Sequence, residues 1–310
     1  MNVEMNKVTK TLVGFAIITL VFVFSCQKKN NKAEDTILEG KVTVYVDETI
    51  LPIVEDEAAV FETEYDAKLN LVSKSENEII NDLFNDTARI VVLTRTLSAK
   101  ELKAFKSKKI TPRITPFATD AVAFIRNKTT NDTLIALQDV IDFVQGKAIP
   151  NIKGLVFDNA NSSTVRYISE ISGLPVNNQK NIFSFKTNEE VLKYVSKNNG
   201  MVGVIGMNWI FQPPLDLQKT IDNVNVLGVK GIKETNYFFP TQDNLAQGKY
   251  PLARHLYIVN CQGYSGLGMG FGSFLTGERG QRIILKSGLV PEQIPTRKIK
   301  IRNTITKDKN

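Results

Sequence analysis

Between residues 41 and 105 the spacing of apolar residues switches repeatedly between two periods, and this alternation constrains the fold more than any other feature. Val42, Val44 and Val46 alternate with polar neighbours, the period-two pattern of a strand. From Ile50 to Phe61 the spacing becomes helical, with Pro52 in the first turn, where its missing N–H is not needed. Residues 69–72 return to a strand, residues 78–84 are amphipathic, and residues 88–93 read as a buried strand. Ser98 then caps a helix through Phe105. Strand, helix, strand, helix, strand predicts an α/β sheet with crossover helices. Ligands in such sheets gather at the carboxyl ends of the strands, so Asp47, Glu48 and Thr49 share one rim with Thr94 and Arg95.

The N-terminus has a separate logic. Lys7 and Lys10 precede an uncharged, mostly apolar run over residues 11–24. Its 14 residues would span roughly 21 Å as a helix, short of the ~30 Å hydrocarbon core of a bilayer. A positive start followed by a short apolar stretch reads as a signal peptide, residues 1–25. The run closes on Ser25-Cys26, and a small residue before a cysteine at that point resembles the lipobox of bacterial lipoproteins. The resemblance implies that Cys26 becomes the lipidated first residue of the mature chain, held in the cell envelope by its lipid. Residues 26–39 are polar and charged, a tether between lipid and folded body.

Cysteine usage and charge narrow the function classes. The two cysteines are Cys26 and Cys261. With Cys26 lipidated, Cys261 has no intramolecular partner, and it reads as a small apolar residue. No metal-ligand spacing and no cofactor motif is present. The single histidine, His255, is expected to pack or hydrogen-bond. Without a Ser-His-Asp order or a Gly-x-Ser-x-Gly turn, an enzyme is not expected. The formal net charge is +7; removing residues 1–25 takes away Lys7, Lys10 and Glu4 and leaves +6. That modest excess attracts anions. Part of it lies in the basic run over residues 297–309, which reads as a strand edge and frayed tail. Nucleic acid is not an expected partner for an exported lipoprotein.

Six segments in one order then carry a resemblance. Asp120-Ala121-Val122-Ala123 is a strand core, and Phe143-Val144-Gln145-Gly146-Lys147 ends the next helix. Phe157-Asp158-Asn159-Ala160-Asn161-Ser162-Ser163-Thr164 follows a third strand, and residues 200–206 are a glycine-rich strand. Tyr250-Pro251-Leu252-Ala253-Arg254-His255-Leu256-Tyr257 returns, and residues 280–291 close the body with a helix and turn. Together, over residues 40–302, these resemble the phosphate-type substrate-binding proteins of ABC transporters. The resemblance implies a type II periplasmic-binding-protein fold with two α/β lobes joined by two crossover segments. Lobe 1 would hold residues 40–120 plus 251–302, lobe 2 residues 121–250, and residues 303–310 a tail.

The implied function is a solute receptor that closes on a small, phosphate-like oxyanion and hands it to a membrane transporter. An alternative is an adaptor or sensor for an envelope complex, keeping the fold without the small-molecule site. Helix starts carry free N–H groups and a positive dipole end, and hydroxyls there can donate to an oxyanion. The expected binding residues are therefore Ser162, Ser163 and Thr164, Thr49 and Ile50, and Thr94 with Arg95, whose guanidinium can grip two oxygens. The chain departs from the family at Asp158, where an arginine is usual, at Thr94-Arg95, where an aspartate is usual, and at Ser163, where the motif has glycine. Arg254 is expected to brace the hinge or lie on the surface. Trp209 is expected in a packed loop, and the glycines over 263–272 to let the last helix pack closely.

Overall fold

A computed structural model of the chain describes residues 35–176 and 180–296. Cys26, the address over 1–25, most of the tether and the basic C-terminal run lie outside the described residues. The elements follow the predicted alternation: β1 (Glu39–Asp47), α1 (Leu51–Glu64), β2 (Asp66–Lys74), α2 (Glu76–Phe84), β3 (Ile90–Leu93) and α3 (Ala99–Ser107). Next come β4 (Arg113–Asn127), β5 (Leu134–Ala136), α4 (Leu137–Val144), β6 (Gly154–Phe157), α5 (Ser163–Ser172), β7 (Ile182–Ser184), α6 (Asn188–Val195) and β8 (Met201–Gly206). The chain continues through α7 (Asn208–Phe211), α8 (Gln218–Ile221), β9 (Val224–Val226), β10 (Gly228–Lys230) and α9 (Gln242–Ala246). It ends in β11 (Ala253–Asn260), α10 (Leu267–Thr276), α11 (Glu278–Lys286) and β12 (Val290–Pro291).

One sheet runs in the order β2-β1-β3-β11-β4-β8-β6-β7. β1 is parallel to β2 from Glu39–Asp66 to Asp47–Lys74, and parallel to β3. β11 returns antiparallel between β3 and β4. The other half repeats the theme, with β8 parallel to β6 and β6 parallel to β7. β4 joins the halves: its first part pairs with β11, and Val122 to Arg126 pair with β8. The fold is thus mixed α/β, with crossover helices between parallel neighbours, as the alternation of periods implies.

Each half buries its own apolar core. Val44, Val46, Ile53, Phe61, Phe271 and Leu275 fill one, under β1, α1 and α10. Phe124, Leu137, Phe157, Ile168, Val191 and Val204 fill the other. A third cluster around Ile79, Leu83, Leu93 and Phe105 covers the opposite face of β3 and includes Cys261. The helix starts are set by caps: Ser98 accepts from the Glu101 N–H at 3.3 Å while Glu101 Oε2 accepts from the Ser98 N–H at 2.6 Å. The glycine run belongs to α10, which α11 follows, rather than to the last helix. There Gly270 meets the chain just before β1 so closely that a Cβ would lie 1.7 Å from the Ile37 carbonyl oxygen.

Candidate functional site

The carboxyl ends of β1 and β6, strands that run in opposite senses in the two halves of the sheet, bring two hydroxyls together. After β1 the chain tightens into a single 3-10 turn, Glu48–Ile50, because Asp47 Oδ1 accepts from the Thr49 N–H at 3.1 Å and from its hydroxyl at 3.0 Å. After β6, Ser162 caps α5 by accepting from the Val165 N–H, so Ser163 becomes its first helical residue. Thr49 Oγ1 and Ser163 Oγ stand 3.0 Å apart, both fully buried. Gly206 allows this approach, since a Cβ there would fall 2.2 Å from the Thr49 carbonyl oxygen.

Arg254 closes the group from below. Its Nη1 donates to Ser163 Oγ at 3.0 Å and its Nη2 to Thr49 Oγ1 at 3.1 Å. The same Nη2 donates to Asp120 Oδ2 at 2.9 Å, and the two side chains are 2% and 0% exposed. Arg254 on β11 and Asp120 on β4 are direct register partners, so the pair is built into the two antiparallel strands.

The remaining hydroxyls face a carboxylate. Ser162 Oγ and Thr164 Oγ1 donate to Asp158 Oδ1 at 2.7 and 2.5 Å. Asn188, which opens α6, donates from its backbone to Glu48 Oε1 at 3.0 Å and from its side chain to Glu48 Oε2. Its amide also reaches Asp158 Oδ2 at 3.4 Å. Asn208 donates to the Thr49 carbonyl at 2.9 Å and Trp209 Nε1 to the Glu48 carbonyl at 3.2 Å. Ile50 sends its side chain into the first core.

Thr94 and Arg95 gather around a different residue. Glu76, fully buried at the start of α2, accepts from Thr94 Oγ1 at 3.3 Å and from Arg95 Nε at 2.8 Å. Arg166 of α5 reaches the same carboxylate through Nε at 2.6 Å. Arg95 also forks onto Glu101, at 2.8 and 2.9 Å. Its guanidinium therefore faces two glutamates, not the Thr49–Ser163 pair.

The electrostatics follow from burial. Desolvation pushes Glu48 up to about 9, helped by the neighbouring Asp158 and opposed by Asn188. Desolvation also lifts Asp47 to about 6, with Glu76 adding to the rise and Arg254 opposing it. Burial raises Asp120 and Asp158 as well, the first against the pull of Arg254 and the second against the hydroxyl bonds from Thr164 and Ser162. The site therefore combines one guanidinium with buried carboxyls whose ionised forms desolvation disfavours. Such a site can donate and accept hydrogen bonds toward one oxygen-rich group. Among the described residues no group of three or more His, Cys, Asp or Glu side chains is arranged to hold a metal ion.

Sequence reasoning placed Thr49, Ser162, Ser163 and Thr164 in one site, and the structure brings them together. It did not assign Arg254, Asp120, Asn188 or Asn208 to the binding group. For Arg254 a signal existed: it shares a strand face with Leu252 and Leu256, both fully buried, so an inward guanidinium had to find partners. Trp209 is buried as expected, but on the short helix α7 and not in a loop, and His255 Nδ1 meets Thr119 Oγ1 at 3.0 Å, in line with a hydrogen-bonding role. Cys261 is buried, which pushes its thiol up to about 11.

Comparison with known proteins agrees with this architecture. Over 301 residues the chain is 23% identical to the phosphate-binding protein PstS of Borreliella burgdorferi, covering 91% of this chain and 98% of that one. A putative phosphate ABC transporter substrate-binding protein from Clostridium perfringens, solved with bound phosphate, superposes with a TM-score of 0.68 at 20% identity. That match covers 82% of this chain and 100% of the other. An ABC-type phosphate transport receptor from Vibrio cholerae gives 0.59 at 17% identity, over 81% and 100%. Likeness at this identity establishes a shared fold. The model of the PBP superfamily domain matches residues 30–279, and the chain belongs to that family.

Proposed function

We propose that this chain is a lipid-anchored extracytoplasmic receptor that closes on a small phosphate-like oxyanion and delivers it to an ABC-type membrane transporter. It acts by binding, not catalysis. The observation that carries the reading is the meeting of Thr49 and Ser163, one from each half of the sheet, on the guanidinium of Arg254. Two lobes, residues 40–120 with 251–302 and residues 121–250, would part about β4 and β11 and close over the ligand by hinge motion. Ser162 and Thr164 would contribute through the start of α5, and Ile50 through its backbone N–H. Thr94 and Arg95 would form the outer edge through Glu76. The names of the relatives support phosphate as the first ligand to try. Lipid attachment rests on the Ser25-Cys26 sequence alone.

The mature chain, residues 26–310, titrated with phosphate, sulfate and other small oxyanions, tests this reading. Phosphate at 100 times its dissociation constant should stabilise the fold by about 2.7 kcal/mol, seen as a raised melting midpoint. A second reading draws on Asp158, which occupies the hydroxyls of Ser162 and Thr164 where an anion would seek them. If no oxyanion moves the midpoint, the receptor reading fails, and an adaptor that retains the fold takes its place.

A further inference from the structure

We infer that Arg254, carried on β11 beside the joining strand β4, is the residue that gives the site its affinity for an oxyanion, with Asp120 as its positioning partner. This inference rests on the receptor reading above. Among the described residues, Arg254 is the one cation that touches either member of the Thr49–Ser163 pair. The other two cations nearby are committed to carboxylates: Arg95 to Glu76 and Glu101, Arg166 to Glu76 and Glu170.

The geometry suits the task. A guanidinium has five N–H donors in a planar fork that matches two oxygens of a carboxylate or phosphate. Two donors of Arg254 go to Asp120, one from Nε at 3.3 Å and one from Nη2 at 2.9 Å. The other edge of the fork faces two oxygens, Thr49 Oγ1 and Ser163 Oγ, 3.0 Å apart. Those hydroxyls stand where two oxygens of one anion would be gripped. The bonds account for four of the five donors and leave one N–H on Nη1. A hydroxyl can turn from accepting to donating, so Thr49 and Ser163 would join Arg254 as donors to the anion.

Location adds a second consequence. Arg254 is anchored on β11, while Thr49 and Ser163 belong to opposite halves, so an anion held by all three is bound by both halves and by their connection. Asp120 fixes the guanidinium from behind. Because it is the register partner of Arg254 on β4, it cannot swing away without disturbing the joining strands.

The test uses the mature chain, phosphate as the probe, calorimetric titration for affinity, and the fluorescence of Trp209 as a reporter of the site. Removing Arg254 alone would strand the buried Asp120, so the informative variant is R254Q/D120N, which removes both charges. Losing one charged, two-pronged grip should weaken phosphate binding by about 100-fold. D120N alone should stay within about 10-fold of the unaltered protein, as expected of a positioning group. R254K keeps the charge but not the fork, and should recover only part of the loss. In R254A, added methylguanidinium should restore binding, which a merely structural role would not allow. The inference is overturned if R254Q/D120N binds phosphate as tightly as the unaltered chain. Should that double variant not fold, equal affinity in R254K overturns it instead. If the unaltered chain binds no oxyanion, the receptor reading falls and takes this inference with it.

Discussion

Glu57 is a carboxyl in the wrong place by every local rule. It lies on α1 one turn from Ile53 and one turn from Phe61, in the stripe that faces the first core, and it is fully buried. Neither of its carboxyl oxygens has a hydrogen-bond partner. Burial pushes it up to about 9, with Asp56 adding to the rise. A raised folded-state value means that the folded protein holds a proton the unfolded chain has released. Its contribution to stability is complete below the ordinary glutamate range near 4.5 and is lost as pH rises toward about 9. Glu57→Leu should therefore raise the melting midpoint, and by more at pH 8 than at pH 5. For a domain of this size each kcal/mol recovered is worth about 2–4 °C. Melting curves of both proteins at the two pH values decide the matter; an equal gain at both would mean that the proton plays no part. The anomaly was legible, since positions 53, 57 and 61 share one helical face. Arg254 was legible in the same way, as a charge on a buried strand face. What the sequence withheld was the partner, because Asp120 lies 134 residues away and only strand register pairs the two.

At the scale of elements, the long strands and capped helices were readable because each carries its own signal. Period two marks β1 and β2, and Ser98 with Glu101 marks the start of α3. The pieces that escaped are short. β5 and β10 have three residues each and pair with one another, with one further bridge from Val229 to Phe238, so their conformation comes from tertiary pairing and not from a pattern. Glycines in α10 show the reverse case, a visible run whose reason is tertiary. At Gly270 a Cβ would collide with backbone, the Ile37 carbonyl, which cannot rotate away. At Gly272 the nearest atoms are 3.6 Å off, an ordinary contact with Ile258. Gly270→Ala should thus cost about 1–3 kcal/mol, despite the better helix propensity of alanine. Gly272→Ala should be neutral or gain up to about 1 kcal/mol. Denaturant unfolding of the two variants separates them, and equal effects would show that helix propensity alone decides at both positions.

Across the whole molecule, the two halves meet along a seam of polar groups, and its acids are sensitive to pH. Glu48 binds Asn188, Thr49 binds Ser163, Glu76 binds Arg166, and Trp209 donates to the Glu48 carbonyl. Buried Glu48 is pushed up to about 9 and Asp47 to about 6. Both are raised, so the sign is the same: their stabilising protons are held at low pH, and stability declines as pH rises. The loss runs from about 3.8 to 6 for Asp47 and from about 4.5 to 9 for Glu48. Glu57 declines over the same range, so the melting curve alone cannot assign the effect. Comparison with Glu48→Gln can, because glutamine never ionises and its amide oxygen can still accept from Asn188. Between pH 7 and 9 the unaltered protein should lose more of its melting midpoint than the variant. Over the same interval Trp209, whose indole N–H is tied to residue 48, should shift its emission toward that of exposed tryptophan in the unaltered protein only. Parallel curves would mean that Glu48 ionises at its ordinary value and that the seam holds regardless of its charge. A difference that grows from about pH 4.5 and continues to about 9 would tie the seam to the proton on Glu48, since the loss from Asp47 is complete near 6.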